Sequence, residues 1–142
     1  MDIYSQMIKC LKDYGQVITE YVGNHYLAQE GETQLTDQEI YKRDLAWLST
    51  SDFVIAEVTT PSLGVGYEIA MAICKHIPTL CLYCPKKQPH LSAMIAGCPD
   101  LVLLPYQTID EAKEKISNYF ELLTTIESAP KDHQIKQSNL LD

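Results

Sequence analysis

The chain has 142 residues with 46% hydrophobic side chains, enough for one domain with a real core. Its 11 basic against 19 acidic residues argue against a nucleic-acid surface, which needs a clustered positive patch. No run of about 18 apolar residues suggests a membrane span, and the first fifteen residues read as an amphipathic helix, not a signal peptide. The five cysteines fit a reducing compartment better than a disulfide framework.

In chain order, Ile3, Met7, Ile8 and Leu11 fall at helical spacing over residues 2–14, with Tyr14-Gly15 as a stop. QVITEYV (16–22) reads as a strand and residues 23–35 as a polar loop. Thr36 and Asp37 are candidate caps for a helix running through Asp44, Leu45, Trp47 and Leu48, with Glu39 or Ile40 in its first turn. SDFVIAEVTT (51–60) is the near-continuous apolar run of a strand covered on both faces. Pro61 to Gly66 are expected to turn, with a helix over 67–76. A strand at 78–85, a short helix at 89–97 and a strand at 101–106 follow. Thr108, with Glu111 in a capping box, opens a last helix reaching about Leu123. The domain is expected over 1–126, and the polar segment 127–142 is expected to be a disordered tail. Strands alternating with helices imply a parallel sheet with helices on both faces.

Three patterns invite chemistry. Gly64-Val65-Gly66 matches part of a dinucleotide fingerprint, but Ile69 occupies the third glycine position and no P-loop pattern exists. The same turn nevertheless lies beyond the carboxyl end of a central strand, where open α/β sheets bind ligands. Ser62 and the N–H groups of a helix start suit a phosphate there. Glu68, in the first turn, is expected to be held as a carboxylate by the helix dipole, either as helix punctuation or as a group able to attack an anomeric carbon. Glu57, inside IAEVT, is the competing acid, costly to bury unpaired. By pattern Asp44 points to solvent. Cys81 and Cys84 resemble a metal or redox pair, but three residues apart on a strand they face opposite ways and read as core. His25, His76, His90 and His133 share no ligand spacing, so no metal and no cofactor is expected.

Together AEVTTPSLGVGYE (56–68), RDLAWLSTSD (43–52), LCLYCP (80–85) and LSAMIAG (91–97) resemble the 2′-deoxynucleoside 5′-monophosphate N-hydrolases, a family within the nucleoside 2-deoxyribosyltransferase superfamily. The resemblance implies a flavodoxin-like α/β sheet and a homodimer of cytoplasmic or nuclear location. It implies cleavage of the N-glycosidic bond of 2′-deoxynucleoside 5′-monophosphates to a free base and 2-deoxyribose 5-phosphate. On this mapping Glu68 is the nucleophile and Asp44 the carboxylate that assists departure of the base. Ser62 and Gly64 hold the phosphate, Ser92 reaches the neighbouring subunit's phosphate, and Ile40 lines the base pocket. Members of the family begin with a strand and a Gly/Ser/Arg loop, whereas this sequence starts at the first helix. The expectation is therefore a sheet lacking its first, central strand. The alternative function is a non-catalytic short form that only binds nucleotide or a full-length partner.

Overall fold

The computed structural model describes residues 2–18 and 35–128. Three parallel strands form one sheet in the order β1-β2-β3, with β1 Val54–Glu57, β2 Thr79–Tyr83 and β3 Val102–Pro105. Ile55 stands beside Leu80 and Leu82 beside Leu104. The expected strand at 16–22 is not formed at residues 16–18, and the rest of it lies outside the described residues, as do His25 and His133.

β2 is buried along nearly its whole length because it is central to these three strands and covered on both sides. Leu80 and Leu82 point to a layer made by α1 (Ile3–Leu11) and α5 (Ile109–Ser128), packing with Met7, Ala112, Ile116 and Tyr119. Cys81 points the opposite way, with Ala56 and Val58, onto Val65, Ile69 and Ile73 of α3 (Leu63–Cys74) and onto Leu91 and Ile95 around α4 (Ala93–Ala96). Cys84 joins the α1/α5 layer, so Cys81 and Cys84 do face opposite sides. Burial pushes the Cys81 thiol up to about 11, consistent with a core residue. All five cysteines are free.

α2 (Asp37–Ser49) begins at a full capping box: Thr36 Oγ1 accepts from Glu39 N–H at 3.2 Å, and Glu39 Oε2 accepts from Thr36 N–H at 2.7 Å. α3 starts earlier than the glycines suggest. Ser62, in extended backbone, accepts from Val65 N–H at 3.3 Å and caps the helix at Leu63, so Gly64 and Gly66 lie inside it. The apolar stripe Val65, Ile69, Ala72 and Ile73 packs against the sheet and carries the helix through the two glycines, each of which costs about 0.5–1 kcal/mol relative to alanine. Thr108 accepts from Glu111 N–H at the start of α5, while the Glu111 carboxylate accepts from Gln107 N–H at 2.8 Å. α5 extends to Ser128, two residues into the segment expected as tail; the remainder of that segment lies outside the described residues.

Candidate active site

Beyond the carboxyl end of β1 lie the β1–α3 connection and the start of α3, and α2 packs against α3. By helix geometry the N–H groups of Leu63 and Gly64 have no intrahelical acceptor. A Cβ at Gly66 would meet nothing within 4 Å, and one at Gly64 only Ser62 Oγ at 4.0 Å. The fold does not need glycine at either position; what glycine leaves is an uncovered backbone that a ligand can approach closely.

Glu68 lies in the second turn of α3, half-buried, and among the described residues no donor is hydrogen-bonded to its carboxylate. The expectation that places it in the first turn is corrected, and with it the strength of the helix dipole at Glu68, which fades beyond that turn. Burial pushes its carboxyl above the usual carboxylate value, and the charge of Asp44 adds to the shift. Asp44 does not simply face solvent as its pattern suggested. Its side chain is 28% exposed, it takes Arg43 Nε at 2.9 Å, and its charge acts on Glu68 across the α2–α3 contact. Arg43 is itself laid over the Trp47 ring at 4.7 Å, which braces the guanidinium that holds Asp44. The half-buried Ile40 is one helical turn before Asp44 on the same side of α2.

The structure thus brings Asp44 and Glu68 together, and places Ser62 and Gly64 at the start of the helix that carries Glu68. Ser92 caps α4 and accepts from Met94 N–H at 3.3 Å; it makes no bond to Ser62 or Glu68. Glu57 is not the unpaired buried charge its setting suggested. Its Oε1 accepts from Tyr106 Oη at 3.0 Å, from Thr59 N–H at 3.3 Å and from the Thr59 hydroxyl. Sequence reasoning missed a further pair, Tyr41 and Tyr67, whose hydroxyls meet at 3.1 Å across α2 and α3. The adjacency of Tyr67 to Glu68 was its one available signal. Among the described residues no group of three or more His, Cys, Asp or Glu side chains could hold a metal ion, and no helix is long and apolar enough to cross a membrane.

With this geometry in view, the sequence model of the nucleoside 2-deoxyribosyltransferase family matches residues 1–140. The chain belongs to that family. It is 43% identical over 124 residues to 5-hydroxymethyl-dUMP N-hydrolase of Danio rerio, an alignment covering 86% of this chain and 87% of that one. A Trichoplax adhaerens protein provisionally named 2′-deoxynucleoside 5′-phosphate N-hydrolase 1 is also 43% identical, covering 86% of this chain and 84% of its own. The solved structure of Clostridium botulinum CMP N-glycosidase superposes with a TM-score of 0.62 at 16% identity, over 82% of this chain and 88% of that one, and shares the α/β fold. A nucleoside 2-deoxyribosyltransferase domain is what the alternation of strands and helices builds here.

Proposed function

We infer that this chain hydrolyses the N-glycosidic bond of 2′-deoxynucleoside 5′-monophosphates, releasing a free base and 2-deoxyribose 5-phosphate. The observation that carries the reading is Glu68: a half-buried carboxylate that accepts no hydrogen bond among the described residues, has its pKa raised by burial and by the charge of Asp44, and stands on the helix whose start can take a phosphate. The names of the two relatives supply the bond and the substrate class.

In the proposed mechanism the sugar phosphate sits on the Ser62 hydroxyl and the first N–H groups of α3. Ser62 Oγ already accepts from Val65 N–H, so its own proton is available to a phosphate oxygen. Ionised Glu68 attacks C1′, the C1′–N bond breaks with its electron pair leaving on the base, and Asp44 assists that departure. Water then attacks C1′ of the glycosyl-enzyme and frees Glu68. The absent 2′-hydroxyl eases charge development at C1′, and the carboxylate beneath it stabilises that charge. Ile40 lines the space for the base.

The site is proposed to be completed by a second copy that contributes Ser92. In support, Leu63 is 97% exposed and Met94 83% exposed, bracketing Ser62 and Ser92 with apolar surface that a partner would cover. The test is release of free base by the purified chain across the deoxynucleoside monophosphates, followed by mixing Ser92→Ala and Glu68→Gln chains. Partial recovery in the heterodimer is expected, since one of its two sites keeps both groups. Nucleotide binding without base release would overturn the hydrolase reading and leave the non-catalytic form.

A further inference from the structure

The carboxyl ends of all three strands are tied together by one side chain that the proposed mechanism does not use. Glu57, the last residue of β1, gathers three donors on Oε1: the phenol of Tyr106, the N–H of Thr59 and the hydroxyl of Thr59. The Thr59 hydroxyl in turn accepts from Cys84 N–H at 2.9 Å. An N–H can only donate, so the hydroxyl must give its own proton to Glu57, and the direction of the chain is fixed. Cys84 follows β2 and Tyr106 follows β3, with Tyr106 N–H donating to Tyr83 O at 2.9 Å. Thr59, Cys84 and Tyr106 are all buried.

We propose that Glu57 is a positioning residue: by clamping Thr59 to the ends of β2 and β3, it fixes the connection that presents Ser62 and the start of α3 to the phosphate. The proposal rests on the reading of that turn as the phosphate site. Glu57 itself is unsuited to attack a sugar, because one of its oxygens is saturated by donors and those donors hold it in the wall of the fold. The Tyr106 phenol is pushed up to about 12 by burial and by Glu57, so it stays a donor throughout the working pH range. Thr59 is the last residue of the connection held on both sides; from there Thr60 and Pro61 lead directly to the cap. A slack Thr59 would let Ser62 Oγ and the Gly64 N–H drift, while Glu68, seated on a helix packed through Val65, Ile69 and Ile73, would stay in place.

That division gives the test its readout. Tyr106→Phe removes one donor and leaves the ring in the core; Glu57→Gln keeps an acceptor oxygen; Glu57→Leu keeps none. For each variant, KM and kcat are measured with a deoxynucleoside monophosphate, and Kd is measured for 2-deoxyribose 5-phosphate by calorimetry. Tyr106→Phe is expected to raise KM and Kd together by about 3–10-fold, the worth of one hydrogen bond, with kcat little changed. Glu57→Gln should fall nearer the wild type than Glu57→Leu. If Glu57→Leu does not fold, Tyr106→Phe and Glu57→Gln still decide the matter. An unchanged Kd in folded Tyr106→Phe and Glu57→Gln chains, or a drop in kcat at constant KM, would overturn the proposal. A wild-type chain that releases no base refutes the hydrolase reading instead, and Kd for the sugar phosphate then decides the positioning role alone.

Discussion

Glu57 and Glu68 sit on either side of the turn in one strand–turn–helix unit, and their surroundings differ sharply. Glu57 closes a strand, and its Oε1 takes three donors from Thr59 and Tyr106. Glu68, in the second turn of the helix that follows, has no hydrogen-bond donor among the described residues, is partly stripped of water and feels the charge of Asp44. The first arrangement holds a backbone in place, since an oxygen committed to three donors is poorly placed to react. The second leaves a carboxylate's lone pairs uncommitted, which a nucleophile requires. Two glutamates of the same motif are separated by environment, not by residue type.

Neutralising each acid in turn should separate the two environments most strongly. Glu68→Gln is expected to lower base release by on the order of 10³-fold or more, the loss of a covalent nucleophile, whereas Glu57→Gln should cost no more than about tenfold in kcat/KM. Single-turnover assays on both would settle it; comparable losses would erase the distinction. Asp44→Asn comes next, with an expected loss of about 10²–10⁴-fold if it assists departure of the base. Because the charge of Asp44 helps raise Glu68, its removal should also shift the acid limb of the pH–rate profile toward lower pH. An acid limb that stays put would mean the two carboxylates do not sense each other.

Stability should run opposite to activity. Glu57→Leu strands the Tyr106 hydroxyl and both donors of Thr59, at a cost of about 2–5 kcal/mol in denaturant titrations. Glu68 should behave in the other sense. Folding raises its pKa, so the protonated form is favoured in the native state; stability is full below the ordinary carboxylate range and declines as pH rises through the folded pKa. Glu68→Gln removes that decline. Its melting temperature should therefore match the wild type in acid and exceed it near neutrality, and a gap of the opposite sign would contradict the desolvation of Glu68. The smallest effect is expected from Gly66→Ala, which should stabilise α3 by about 0.5–1 kcal/mol because nothing blocks the new methyl group. If the bare backbone there serves a ligand, the same change should weaken monophosphate binding; unaltered binding would mean the glycine serves no ligand.

The structure adds a cost to the proposed role of Ser62. Because its side chain caps α3, Ser62→Ala should remove about 1 kcal/mol of stability as well as a phosphate contact, so its effect on binding has to be read with the fold's stability measured alongside.

Local chemistry and periodicity in the sequence were enough for the α/β alternation, for the Thr36 capping box and for the opposite facing of Cys81 and Cys84. Each of these depends on neighbours within a few residues or on a period of 2 or 3.6. PSLGVGYE and LSAMI, together with the segments around them, were enough for the family, because that order of residue types is itself specific. The start of α3 was misjudged for a local reason: two glycines read as breakers, while a serine cap and an apolar stripe against the sheet outweighed them. The electrostatic roles were decided only by the tertiary structure. Asp44 meets Glu68 because α2 packs on α3, and Glu57 is satisfied because β3 delivers Tyr106 from the far side of the sheet. A carboxylate's energy depends on which dipoles and charges surround it in space, and those partners, carried by other elements of the chain, leave no periodic trace beside it in the sequence.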